Sequence, residues 1–206
     1  MAETERPQIY LITPPAFSLQ GFPDRLKAVL DAVDIACLRL ALASRDEAEI
    51  SRAADCLREI AHARDVAIVV ENHVMLADRL GLDGVHLTDA HRPIRKLRDE
   101  MGTDAIIGTF AESSRHDGIN AAEAGADYIA FGPVGPSPLG DGRTAPREIF
   151  EWWSEMIEVP VVAEGALCVE TVADLAPVTD FFGIGDEIWT DDSPVSALRT
   201  LIAPLG

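Results

Sequence analysis

The stretch Gly125-Ala126-Asp127-Tyr128-Ile129-Ala130-Phe131-Gly132-Pro133 compresses one whole structural unit into a few residues. Gly125 stands where a helix should stop, because glycine accepts the left-handed backbone that closes a helix. Tyr128–Phe131 is a short apolar run of the kind that forms a strand buried on both faces. Gly132-Pro133 then opens a loop that continues to Thr144 with four Gly and three Pro. Gly permits close backbone approach and Pro restricts the chain, so a loop of this length reads as a binding loop or lid.

Working outward, the same order of helix stop, strand and loop recurs along the chain. Candidate strands are Gln8–Ile12, Ile35–Ala41, Val66–Glu71, Gly84–Leu87, Ala105–Thr109, Tyr128–Phe131, Val161–Glu164 and Phe181–Ile184. Helix candidates between them are Pro23–Val33, Arg45–Arg64, Val74–Leu80, Pro93–Glu100, Ser114–Ala124, Arg147–Met156, Cys168–Leu175 and Pro194–Ile202. Asp46-Glu47 and Arg64 have the charges expected at the two ends of the second helix. Ser193-Pro194 fits an N-cap followed by proline in the first turn. Strict alternation of strands and helices predicts parallel pairing with helical crossovers. Eight such repeats predict an α/β fold closed into a (β/α)8 TIM barrel, a single domain over residues 1–206.

The 206 residues carry 35 acidic and 17 basic side chains, a formal charge of −18. Only Lys27 and Lys96 are lysines, and both fall inside predicted helices. With 48% apolar residues the chain can build a core, which separates it from a disordered acidic tail. The charge argues against nucleic acid, whose binding needs clustered Lys and Arg, and against an anionic membrane surface. No run of about 18 apolar residues is present to span a bilayer. The first seven residues are polar and acidic, without the apolar core of a signal peptide. Cys37, Cys56 and Cys168 have neither CxxC nor zinc spacing and read as reduced, apolar-like residues of a cytoplasmic protein.

Several segments taken together resemble thiamine phosphate synthase and its relative thiazole tautomerase. They are Tyr10-Leu11-Ile12-Thr13, Cys37-Leu38-Arg39, Leu76-Ala77 followed by Gly84-Val85-His86-Leu87, the Gly125–Pro133 stretch, and Pro160-Val161-Val162-Ala163. The resemblance covers nearly the whole chain, and Gly125–Pro133 is its most specific part. It implies the barrel fold and a transferase that joins a pyrimidine pyrophosphate to a thiazole phosphate, with Mg²⁺ on the pyrophosphate. It also suggests a homodimer. A leaving pyrophosphate calls for cations and oriented N–H donors aimed at its developing charge.

Residue by residue, the chain departs from the pattern that supplies them. The family's Gln-x-Arg-x-Lys on strand 2 is Cys37-Leu38-Arg39-Leu40-Ala41 here, so the arginine matches and the lysine is gone. The Asn and the Mg²⁺-binding Asp after strand 3 become Glu71 and Asn72. After strand 4 the run is Thr88-Asp89-Ala90-His91, and after strand 5 it is Phe110-Ala111-Glu112-Ser113, without the tautomerase histidine. The Thr-x-Thr-Lys end of the strand-6 loop becomes Ser137-Pro138-Leu139-Gly140. Glu164-Gly165-Ala166 replaces Ile-Gly-Gly after strand 7, and Gly185-Asp186 replaces a phosphate-contacting Val-Ser after strand 8. Two lysines are lost, three carboxylates are gained and two aspartates are lost, which leaves these positions three charges more negative. Each like-charge contact near 4–5 Å costs roughly 3–4 kcal/mol at an effective dielectric of about 20. Weak or absent family activity is therefore expected, and no cofactor is assigned, since the Mg²⁺ carboxylates are replaced.

The candidate small-molecule site at the predicted barrel mouth comprises Arg39, Glu71, Asn72, Asp89, His91, Glu112, Gly132, Pro133, Ser137, Arg143, Glu164, Gly165, Gly185 and Asp186, with Glu187 beside them. Such a mouth suits a neutral or cationic molecule, and Glu71, Glu164 and Asp186 are a candidate set for a hard divalent cation. Glu71 and Glu164 directly follow apolar strands and so point toward the mouth. Asp89 and Glu112 also fit the commoner case of solvated loop acids. Arg39 reads equally as a pocket residue or as an ion-pair partner of Glu71 or another strand-end carboxylate. His86, inside a strand, reads as a packed, hydrogen-bonded core residue. The stripe of Ile149, Trp152, Trp153 and Met156 reads as core or subunit interface. Gly183-Ile184-Gly185 lacks the third glycine of a dinucleotide fingerprint, and no P-loop, nucleophile elbow or HExxH is present. Three functions stay open: a synthase with unusual ligands, a diverged barrel enzyme with a less anionic substrate, or a non-catalytic binding or assembly protein.

Overall fold

A computed structural model describes residues 6–206; residues 1–5, most of the polar N-terminal stretch, lie outside it. Eight strands form a closed barrel: β1 (Gln8–Ile12), β2 (Ile35–Leu40), β3 (Ala67–Glu71), β4 (Gly84–Leu87), β5 (Ile106–Phe110), β6 (Tyr128–Phe131), β7 (Val161–Glu164) and β8 (Phe181–Ile184). Each pairs in parallel with the next, and β8 pairs with β1, so no strand edge is left open. The fold is the predicted (β/α)8 barrel.

The helices are α1 (Phe22–Ala32), α2 (Glu47–His62), α3 (Val74–Leu80), α4 (Ile94–Met101), α5 (Arg115–Glu123), α6 (Arg147–Met156), α7 (Val169–Leu175), α8 (Asp186–Trp189) and α9 (Pro194–Leu201). Helix α2 starts two residues later than expected because Asp46 caps it, its side chain accepting from the Ala48 N–H. Arg64 falls past the end of α2 and pairs with Asp31 at 2.7 Å. Ser193 does occupy the N-cap of α9, with Pro194 in the first turn, but its side chain makes no cap bond. Strand β5 is shifted one residue onto Phe110, which pairs with Ala130 and turns into the barrel interior. The single-turn α8 is additional to the expected elements.

The strands are buried on both faces by two different cores. Outward residues such as Leu11, Leu38, Ile68 and Phe131 pack under the helices, where Phe131 stacks edge-on against Trp153. Inward residues Tyr10, Cys37, Val69, Phe110, Tyr128, Ala130 and Val162 form a smaller cluster inside the barrel. Part of the acidity serves this frame. Asp83, Asp127 and Asp180, each just before an even-numbered strand, accept the backbone N–H of Ile68, Ile107 and Val161 on or next to the preceding strand at 2.7–2.8 Å. Among the described residues no helix is long and apolar enough to cross a membrane.

Candidate functional site

The C-terminal ends of the strands, where barrel enzymes place their chemistry, surround a cavity of about 630 Å³. Of the sequence-named residues, Arg39, Glu71, Ser137, Glu164, Gly165, Gly185 and Asp186 line it, together with Glu187. Thr13, Ala41 and Leu139 also contribute wall. The long loop after β6 therefore reaches the mouth through Pro136–Leu139.

Arg39 stands at the centre. It is 5% exposed, and its guanidinium reaches across the barrel to Glu164 Oε2 at 2.8 Å. Glu71 Oε1 is 3.4 Å from Arg39 Nε, within ion-pair range but out of line for a hydrogen bond. Arg39 thus lines the cavity and pairs with two strand-end carboxylates. A Cβ on Gly183 would stand 2.8 Å from the Cβ of Glu164, so glycine on β8 makes the room that Glu164 occupies. Burial works against the Arg39 charge, and Glu164, Tyr10 and Glu71 more than offset it, leaving the guanidinium firmly protonated. Burial raises the Glu71 pKa; Arg39 opposes that rise and Glu164 adds to it.

Below Arg39 a polar column runs down the barrel interior. Arg39 donates to His86 Nε2 at 2.7 Å, and His86 Nδ1 lies 3.0 Å from the Tyr128 hydroxyl. Tyr128 in turn meets the Tyr10 hydroxyl at 2.6 Å. Arginine only donates, so Nε2 must accept, and the proton of the neutral imidazole sits on Nδ1, donating to Tyr128. Burial, reinforced by Arg39, holds the His86 pKa well below its usual value, consistent with that neutral form. The tyrosine pair then uses one hydroxyl hydrogen between its members, and the second finds no acceptor among the described residues. Burial raises both tyrosine pKa values well above normal, so neither releases that hydrogen. His86 is 1% exposed and hydrogen-bonded, as a packed core histidine should be. The tyrosines were not named as site residues from sequence. Their signal was a polar group at an inward position of a strand that is otherwise apolar.

The remaining named residues are not in this cavity. The Asn72 amide donates to Thr88 Oγ1 at 2.8 Å and its carbonyl accepts the Thr88 N–H, tying the loops after β3 and β4 together. Asp89 and His91 bond each other at 3.0 Å on the surface. The backbone N–H and the side chain of His91 lower the Asp89 pKa, and Asp89 raises that of His91. The Glu112 carbonyl accepts from the Gly132 N–H, and the Pro133 carbonyl from the Ala145 N–H, so these three anchor the β6 loop. Arg143 is exposed and paired with Asp141. Glu71 and Glu164 are committed to Arg39, and among the described residues no cluster of three His, Cys, Asp or Glu is arranged to hold a metal. The positions that correspond to Mg²⁺ ligands, Asn72 and His91, do not converge with them.

Fold and cavity define a (β/α)8 barrel protein with a pocket at the C-terminal ends of its strands. A family model described as thiamine monophosphate synthase matches residues 9–179. Thiamine-phosphate synthase of Rhodospirillum centenum is 44% identical over 88% of this chain and 89% of its own. That of Erythrobacter litoralis is 38% identical over 93% of each. Thiamine phosphate pyrophosphorylase from Pyrococcus furiosus superposes with a TM-score of 0.82 over 96% of this chain and 95% of its own, at 23% identity, which shows the shared fold. The chain belongs to the thiamine monophosphate synthase family.

Proposed function

We propose that this family member binds a neutral or cationic small molecule at an acidic barrel mouth, with the joining of pyrimidine pyrophosphate to thiazole phosphate weak or lost. The observation that carries the reading is the enclosure of Arg39. Among the described residues the one cation buried at the mouth faces Glu71 and Glu164, with neutral His86 behind it. With both carboxylates ionised, the cluster holds one net negative charge before any ligand arrives. A pyrophosphate entering here meets like charge, at about 4 kcal/mol for each contact near 4 Å at an effective dielectric of about 20. Lys27 and Lys96 offer no relief, because they pair with Asp24 and Glu100 on their own helices. A cationic or neutral heterocycle meets no such penalty.

The reading excludes nucleic acid and anionic membranes as partners on the same charge. A cytoplasmic setting agrees with three free cysteines. The test is to mix both phosphorylated substrates with Mg²⁺ and high enzyme concentration and to assay thiamine phosphate. Trace or no product is expected. Multiple turnovers per minute would overturn the reading and restore the family reaction to this mouth.

A further inference from the structure

Glu187 occupies a position at the mouth that the family resemblance leaves unexplained. It is half-buried, and its two carboxylate oxygens are divided between two backbone donors. Oε1 accepts from the Leu167 N–H at 3.1 Å, and Oε2 accepts from the Gly185 N–H at 2.8 Å. Leu167 belongs to the loop after β7, and Gly185 directly follows β8. In (β/α)8 barrels the loops after the seventh and eighth strands are the frequent seat of a substrate phosphate, held by backbone N–H groups. Two N–H donors from two loops, each taken by a different oxygen of one anionic group, reproduce that mode of recognition with an anion supplied by the chain itself.

We propose that Glu187 is a specificity-determining residue that fills the anion cup of the mouth and so restricts it to ligands without a phosphate group. The inference rests on the reading of the mouth as a small-molecule site, and it adds a mechanism. A phosphate is excluded by occupied donors as well as by charge. To enter, it must displace two charge-assisted bonds and leave the Glu187 carboxylate without them. A ligand that presents an amine, an amide or a hydroxyl faces no such competition, and the Glu187 carboxylate is available to it as an acceptor.

The experiment titrates inorganic phosphate into ¹⁵N-labelled wild type, Glu187→Ala and Glu187→Gln, following the amides of Leu167 and Gly185 by NMR, with thermal melts as the folding control. Wild type should show no saturable shift at these two amides. E187A should gain one, with affinity at least about tenfold above wild type, the value of one recovered charge-assisted bond. E187Q keeps one acceptor oxygen without the charge and should fall between; it carries the test if E187A fails to fold. Saturable phosphate binding at these amides in wild type, or a folded E187A or E187Q with no gain, would overturn the inference. Failure of the functional reading is separable: thiamine phosphate formed by wild type defeats that reading, whereas the phosphate titration alone decides the role of Glu187.

Discussion

Replacing Arg39 by methionine is the sharpest perturbation of the mouth. The substitution keeps an unbranched side chain but leaves Glu164, 1% exposed, without its cation. Removing one partner of a buried ion pair typically costs 3–5 kcal/mol, because the stranded charge has lost its compensation. The bond from Arg39 to His86 Nε2 is lost as well. A loss of about 4 kcal/mol at pH 7 is expected, close to 10 °C in melting temperature for a chain of this length. Its sign with pH follows from the groups involved. Burial already raises the Glu71 pKa and Arg39 opposes the rise, so loss of the guanidinium lifts it further; that penalty is felt at high pH and fades as pH falls and the Glu71 carboxyl protonates. His86 adds to the trend: in wild type its depressed pKa makes folding lose stability as pH falls below its unfolded value, and removal of Arg39 lifts one cause of that depression. The difference between wild type and R39M must therefore shrink from pH 7 to pH 5. Urea unfolding at both pH values measures it. A loss below about 1 kcal/mol at pH 7, or a difference unchanged between the two, would refute the buried-cluster reasoning. The double variant Arg39→Met/Glu164→Leu should recover most of the loss, since an apolar replacement of both partners is often close to neutral.

The tyrosine pair should respond unequally. Tyr10→Phe removes a hydroxyl in a pair that has one hydrogen too many and should cost about 1 kcal/mol or less in urea unfolding, whereas Tyr128→Phe strands the His86 Nδ1–H and should cost about 1–3 kcal/mol. Equal losses would contradict the assigned direction of the column. Gly108→Ala would place a Cβ 1.8 Å from the Tyr128 ring and should abolish soluble folded protein or lower the melting temperature by well over 10 °C. Asp127→Ala removes the acceptor for the Ile107 N–H and the partner of Arg98, and should cost about 2 kcal/mol without changing ligand binding at the mouth, as read by calorimetry.

The barrel was readable because its strands are short apolar runs between turn residues. Tyr128–Phe131 between Gly125 and Gly132 is the clearest case, and its limits coincide with β6. Elements without such punctuation were harder to place. Asp186–Trp189 is a single turn, too short to show helical periodicity in the sequence. The site was legible only in part, for a related reason. Strand-end position predicts that Arg39, Glu71 and Glu164 face the mouth, but no local pattern tells that β2 and β7, 125 residues apart, bring Arg39 and Glu164 together. Conversely, His91 and Arg143 satisfy themselves on carboxylates two residues away, Asp89 and Asp141, and such local pairs remove a residue from a pocket that its loop position suggests.

Formal charge is a poor guide to what the mouth repels. Asp83, Asp127 and Asp180 spend their carboxylates on strand N–H groups at the opposite end of the barrel, and Glu164 is neutralised by Arg39. Of the carboxylates that line the cavity, Glu187 is held by two N–H groups, Glu71 is 26% exposed, and Asp186 is exposed to solvent that screens it. Bulk repulsion is therefore weaker than the excess of acid suggests. Local charge is reinforced by which donors are already taken: two N–H groups of the Arg39 guanidinium by His86 and Glu164, and those of Leu167 and Gly185 by Glu187. Added salt should accordingly do little to admit phosphate, because screening weakens long-range repulsion and leaves short, partly buried hydrogen bonds intact. Freeing the donors by substitution at Glu187 should do much more.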